Sequence, residues 1–327
     1  MKRVFLVSFD HSSDRTIEHL VSILEGTPYE MFYRTTRMEE YSMVGKGELH
    51  GSAKASDQKE ILDEDRIIYS SLSGIKEPAK NQVPPHLLRN KEIEMVDQME
   101  EDVDKGDLVI SFLSSPFKDA ASIASYFSFR VINRNAFSIC FLSRRGDFRD
   151  IKEVEDLNRE LLDLSMRFHG IAALSRKVTD HGNYIDVAHL IRHLVEMNFS
   201  SGMINLDQAD LLTTSRAGSI LVMTWGAARP GGDPAATSVK DALSNPLCHI
   251  DLSTVRKALV NVVGSRELVL EDSLVASQVL KKRIRSNARL IWGVNIVQDI
   301  GEDMEVFLIL STTPMELLLH WYSDQQR

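Results

Sequence analysis

Several short patterns in this 327-residue chain have the residue types and spacing of reactive groups. Ser115-Pro116-Phe117-Lys118 matches S-x-x-K, in which the serine is a nucleophile, but the S-D-N and K-T-G elements that complete such a site do not occur. His189 and His193 lie four residues apart in a helical run, a spacing that can hold zinc, with Glu196 as the nearest carboxylate. Two histidines fall short of a ligand set and helix-surface histidines give the same pattern, so no metal is expected. Lys281-Lys282-Arg283-Ile284-Arg285 is a basic cluster late in a helix, where cations complement the helix dipole. A partner-protein or lipid contact is the alternative. Cys140 and Cys248 are too few for a disulfide framework or a cysteine-rich zinc site. Both sit among apolar residues and read as buried thiols of a reducing compartment.

The elements that position these groups follow from hydrophobic periodicity. Arg3 to Phe9 reads as a strand, followed by a turn and a helix over Thr16 to Leu24, where Ile17, Leu20, Val21 and Leu24 recur at helical spacing. Between Arg34 and Lys105 the pattern is polar and glycine-punctuated, with a short strand expected near Ile67 to Tyr69 and a helix over Lys91 to Val103. Asp107 to Leu113 and Ser138 to Leu142 read as buried strands around a helix over Asp119 to Tyr126. A charged helix over Asp150 to Phe168 has Leu157, Leu161, Leu162 and Leu164 as its apolar face, and Gly170 to Leu174 is the next strand. Ile185 to Phe199 is apolar over most of its circumference, which predicts a buried helix. This alternation predicts an α/β, mostly parallel, doubly wound sheet. After Asn205 the texture changes. Strands over Ser219 to Trp225, Arg289 to Val297 and Glu305 to Leu310, with helices over Val239 to Ser244 and Leu274 to Ile284, predict a second, smaller α+β unit. The tail from Met315 to Gln326 is expected to pack back as a helix.

Composition narrows the function classes. With 38 Lys+Arg against 47 Asp+Glu, the net charge of −9 argues against a dedicated nucleic-acid binder, which needs a concentrated cationic surface. The first apolar run, Val4 to Val7, is too short for a signal peptide, and no window approaches the ~18 apolar residues of a spanning helix. A cytoplasmic protein without direct membrane insertion is expected.

One stretch resembles a known family. Gly202 to Asp210 reads GMINLDQAD, and Asn205, Asp207, Ala209 and Asp210 match N-x-D-x-A-D, the acidic loop of the FtsZ/tubulin superfamily. On residues alone, Asp210 is equally a helix N-cap and Asn205 a turn residue. The resemblance continues through Gly226, Gly231-Gly232-Asp233, Ala242-Leu243-Ser244-Asn245-Pro246-Leu247, Ala258 to Gly264, and Asn287-Ala288-Arg289-Leu290-Ile291-Trp292-Gly293. It implies the tubulin/FtsZ fold: a Rossmann-like domain (1–182), a central helix and linker (183–204), a smaller α+β C-terminal domain (205–314) and a short tail (315–327). In that family the N-terminal half binds GTP, and the acidic loop of one subunit reaches the γ-phosphate held by the next. By matching position, Asp207 and Asp210 would polarise the attacking water on a partner's nucleotide.

The N-terminal half departs from the family. Phosphate loops need glycines so that backbone N–H groups can close on the anion. The family's first such turn falls here on Ser8, Asp10, His11, Ser13 and Asp14, with Arg15 at its asparagine; none is glycine. The loop matching the tubulin signature is FLSSPFKD (Phe112 to Asp119), where Ser114, Ser115, Pro116 and Lys118 replace the glycine run and Pro116 lacks an N–H. The guanine-gripping positions fall on Tyr184 and Ile185, with Asp186 one position off, and the remaining phosphate loop has no counterpart between Gly74 and Pro85. The resemblance and its gaps together imply an FtsZ-like pseudo-GTPase, without nucleotide cofactor, that co-assembles with, caps or tunes a filament of FtsZ or FtsZ-like subunits. A divergent GTPase using GTP and magnesium and polymerising itself is the alternative, and nucleotide-independent self-assembly the third. The family's usual C-terminal linker and docking peptide are not expected, since the sequence stops after the tail helix.

Overall fold

The computed structural model describes residues 3–24, 30–36, 38, 42–44, 88–115, 118–144, 146–174, 184–199, 202–215, 218–228, 233–245, 247–265, 268–297 and 304–326. The strand expected near Ile67 to Tyr69 lies outside these residues. The elements run in the order β1 (Val4–Ser8), α1 (His11–Leu24), β2 (Met31–Arg34), β3 (Ser42–Met43), α2 (Asn90–Glu101), β4 (Leu108–Ser115) and α3 (Lys118–Asn133). β5 (Phe137–Arg144), α4 (Ile151–Leu164), β6 (Gly170–Leu174), α5 (Tyr184–Phe199), α6 (Gln208–Thr214) and β7 (Ile220–Ala228) follow. The chain closes with α7 (Pro234–Ser244), β8 (Lys257–Gly264), α8 (Leu270–Lys281), β9 (Arg289–Ile296), β10 (Met304–Thr312) and α9 (Pro314–Gln325).

All ten strands join one sheet in the order β3-β2-β1-β4-β5-β6-β7-β10-β8-β9. β2, β1, β4, β5, β6 and β7 pair in parallel, which needs crossover connections between them. β10 is antiparallel to both β7 and β8, while β8 and β9 are parallel. Within the sheet, β6 and β7 pair at one described position, Ala172 with Leu221.

Helices cover both faces, so the strands are apolar on both sides. Along β1 the alternation decides the layer. Phe5 and Val7 point to the face of α2, α3 and α4, where they join the core of Val96, Phe127 and Val154. Val4 and Leu6 point to the opposite face, with Ile17 and Leu20 of α1 and Leu190 and Leu194 of α5. The central helix α5 is buried as expected through Val187, Leu190, Ile191, Leu194 and Val195, but Ile185 in its first turn is 59% exposed.

The structure corrects several expectations. α1 begins at His11, not Thr16, because Asp10 caps it immediately after the strand. β2, β3 and β8 have no counterpart among the expected elements, although Lys257–Gly264 is a buried eight-residue strand. On α4 the buried stripe is Val154, Leu157, Leu161 and Leu164, set by 3.6-residue spacing; Leu162 falls off it and is exposed. The tail does pack back: α9 buries Leu317 and Leu318, and its Tyr322 ring meets Phe148 edge-on at 6.2 Å. Of the two thiols only Cys140 is fully buried; Cys248 is half-buried, with burial pushing its thiol up to about 12.

Candidate functional site

Two clusters carry the residues singled out in the sequence. The first lies at the carboxyl ends of β1 and β4, where open α/β sheets bind ligands. β1 turns into α1 through Phe9 and Asp10 alone, and the Asp10 side chain caps the helix by accepting the backbone N–H of Ser13 (2.8 Å) and the Ser13 hydroxyl (2.8 Å). The same carboxylate accepts the backbone N–H of Ser114 at the end of β4 (2.9 Å). Ser13 and Ser114 hydroxyls lie 3.1 Å apart, and Ser114 and Ser143 hydroxyls 2.8 Å apart, so a chain of hydroxyls links β1–α1, β4 and β5. Beside it, Asp14 is 1% exposed and accepts from the hydroxyls of Ser8 and Thr36 and from the Thr36 N–H (2.8 Å).

Asp10 and Asp14 are therefore each satisfied by several donors from within the chain. Asp10 holds backbone N–H groups at the start of α1 and near the end of β4, and Asp14 holds the Thr36 N–H. Of the other positions expected here, Arg15 is exposed on α1 and Ser115 is half-buried at the end of β4. The backbone of His11 and Lys118 starts α1 and α3; their side chains and Pro116 lie outside the described residues. At the start of α5, Tyr184 packs its ring on His19 of α1 (centroids 4.6 Å apart), and Ile185 faces solvent. Sequence reasoning missed Thr36 and Ser143. The D-x-x-S spacing of Asp10 and Ser13 before an apolar helix was a readable capping signal.

The second cluster is the acidic loop. Asp207, not Asp210, is the N-cap of α6: its carboxylate accepts from the N–H groups of Ala209 (2.8 Å) and Asp210 (3.0 Å). Asp210 sits three residues on and reaches back to the Asp207 N–H (3.1 Å), completing a reciprocal capping box. Burial, with the Asp207 charge beside it, raises the Asp210 carboxyl above its ordinary range against the opposing pull of the Asp207 N–H and Arg289. Asn205 accepts from the Gly202 N–H (2.6 Å), a turn bond. Ala209 is half-buried in the first turn of α6.

The loop is held on β9 by an antiparallel bridge between Ile204 and Val294. Leu206 is buried over Gly293, where an added Cβ would lie 2.4 Å from the Leu206 Cγ. Glycine at 293 is therefore what lets the loop approach the strand. Asp207 thus faces solvent on a short, anchored helix start.

The remaining candidates resolve differently. His193 is not a surface residue, and His189 is half-buried. His193 is fully buried, its ring stacked on Phe307 (5.4 Å), and His189 stacks on Trp225 (4.3 Å). Burial, with Arg192 close by, pushes His193 down to about 3. Glu305 approaches it at 3.3 Å without hydrogen-bond geometry and instead pairs with Arg192 at 2.8 Å. No metal set forms around this pair among the described residues. Lys281, Lys282, Arg283 and Arg285 are exposed at the end of α8.

Comparison with known proteins now bears on this geometry. Residues 219–313 match the FtsZ family, C-terminal domain. Cell division protein FtsZ 1 of Halobacterium salinarum is 33% identical over 121 residues, covering 37% of this chain and 30% of the relative. FtsZ 1 of Archaeoglobus fulgidus is 31% identical over 121 residues and 33% of its length. The matched stretch thus spans about a third of these relatives. Over the whole chain the likeness is one of fold. The empty FtsZ dimer of M. jannaschii aligns with a TM-score of 0.58 at 16% identity, covering 95% of this chain and 88% of that one. CetZ from Methanosaeta thermophila aligns at 0.63 and 15% identity, covering 98% and 90%. Residues 219–313 are thus FtsZ-like in sequence, and the chain as a whole has the FtsZ/tubulin fold. Within that fold, the matched residues carry β7, β8, β9 and β10, and the acidic loop precedes them directly.

Proposed function

We propose that this chain is an FtsZ-like cytoskeletal or cell-division protein that joins a filament through its acidic-loop face without binding GTP. Its partner is an FtsZ or FtsZ-like subunit, and Asp207 and Asp210 polarise water on the nucleotide which that partner holds. The observation that carries the reading is the Asp10 carboxylate, which occupies both the Ser13 and the Ser114 N–H groups. Hydrogen bonds to a charged group contribute about 1.5–3 kcal/mol each, and a nucleotide phosphate entering there would have to displace them. It would also meet the Asp10 charge without the glycine-lined amides that normally compensate such an approach. The raised Asp210 carboxyl supports the other half of the reading, since a base is more effective as its pKa approaches neutrality.

The test is titration calorimetry of GTP and GDP with magnesium against the purified chain at concentrations above ~10 μM. No heat and no bound nucleotide are expected. One-to-one binding would overturn the proposal in favour of a self-polymerising GTPase. Nucleotide-blind oligomers that leave a partner's turnover unchanged would instead favour a structural protein that assembles alone.

A further inference from the structure

Outside both clusters, one group of side chains converges without a role in the proposed assembly. His320 and Asp324 lie four residues apart on α9, so one face of the helix presents both. His249, in the segment after α7, meets them: its Nε2 is 3.0 Å from Asp324 Oδ2, and His320 Nε2 is 3.9 Å from the same oxygen. One donor atom from each of the three lies within 4.8 Å of the others, the only such set among the described residues. The three side chains are 19%, 27% and 32% exposed, open enough for an ion to enter and keep a water.

The set is also braced. Trp321, next to His320, donates its indole N–H to the His249 carbonyl at 2.7 Å and fixes that backbone against α9. Such outer bonds orient metal ligands in known sites. We propose that His249, His320 and Asp324 bind a first-row divalent cation of the zinc class, with water completing the sphere. Two imidazole nitrogens and one carboxylate suit zinc, cobalt or nickel, whereas magnesium and calcium take oxygen ligands. Ligand atoms of a tetrahedral zinc site lie about 3.3 Å apart, so a side-chain rotation closing the set by an ångström or so suffices. Cys248, adjacent in sequence, is not part of this set.

The location gives the ion a structural role. α9 touches the N-terminal half through Tyr322 on Phe148 and through the Gln325 side chain accepting the Phe148 N–H (2.9 Å). It touches the C-terminal half through His249 and through Arg256 on Glu316 (3.1 Å). A metal at this point staples the helix that clamps the two halves of the sheet.

The experiment titrates zinc chloride into the untagged full chain after EDTA dialysis, by calorimetry, with cobalt chloride absorption as a spectroscopic readout. One equivalent is expected, with a Kd of about 10 μM or tighter, visible cobalt bands, and a higher Tm with metal. His249→Ala, His320→Ala and Asp324→Asn each weaken binding at least tenfold and remove the metal-dependent rise in Tm. Circular dichroism without metal checks that they fold, and His320→Gln serves where His320→Ala does not. Binding should weaken from pH 7.5 to 5.5 as protons compete for the imidazoles, the reverse of a bare His249–Asp324 ion pair. Absence of saturable binding, or unchanged binding in the His249→Ala/His320→Ala double variant, overturns the proposal.

Discussion

Asp10 and Ser114 are 104 residues apart in the chain, and the Asp10 carboxylate accepts the Ser114 backbone N–H at 2.9 Å. That one bond ties the start of α1 to the end of β4 across the place where parallel strands deliver their loops. Asp10→Ala leaves the Ser13 and Ser114 amides without this acceptor. It is expected to lower stability by about 1–3 kcal/mol in urea denaturation, whereas Asp10→Ser, which keeps a capping oxygen, costs less. Neither variant is expected to gain GTP binding, since no glycine is restored.

Asp207 caps α6, and in the proposed function it also acts on a partner's nucleotide. Asp207→Ser keeps an N-cap acceptor and should alter stability by no more than about 0.5 kcal/mol. Paired with Asp210→Asn, it should abolish stimulation of a partner filament's GTP turnover. The readout is phosphate release by the partner with and without this chain. Unchanged stimulation in the double variant would sink the in-trans role.

Gly293 sets the distance between the acidic loop and β9. Gly293→Ala places a Cβ against Leu206 and within 2.8 Å of the Ile204 carbonyl. The expected cost is about 1–3 kcal/mol by thermal denaturation, together with loss of partner stimulation although both aspartates remain. A variant as stable and as active as the parent would show that the loop's seat on Gly293 is dispensable.

His193 and His169 are buried, and burial pushes them down to about 3 and about 4. The unfolded chain holds both nearer the usual 6.5, so between pH 6.5 and 4 it binds more protons than the folded chain. Stability from these residues is present above pH 6.5 and is lost as pH falls through that window. His193→Leu, which cannot titrate, should flatten the dependence of urea midpoints measured from pH 7 to 4.5. An unaltered slope would place the acid sensitivity elsewhere.

Much of the framework was legible because local chemistry and tertiary use agree. Val4–Ser8, Leu108–Ser115 and Phe137–Arg144 are buried on both faces, and their unbroken apolar runs betray them. The acidic loop was legible for a different reason: Asn205, Asp207 and Asp210 act within their own segment, so their spacing is their geometry. Asp207, not Asp210, emerged as the cap because register within a turn depends on backbone angles that residue type leaves open.

The sequence by itself determined the alternation of strands and helices, the acidic loop and the absence of glycines from the phosphate loops. Each of these is written in neighbours along the chain. Only the tertiary structure decided what fills the place of those glycines. Asp10 finds Ser114, Asp14 finds Thr36, and His249 finds Asp324 across separations of 104, 22 and 75 residues. A side chain's partner at such range is fixed by strand order and helix packing, and no spacing rule carries that information.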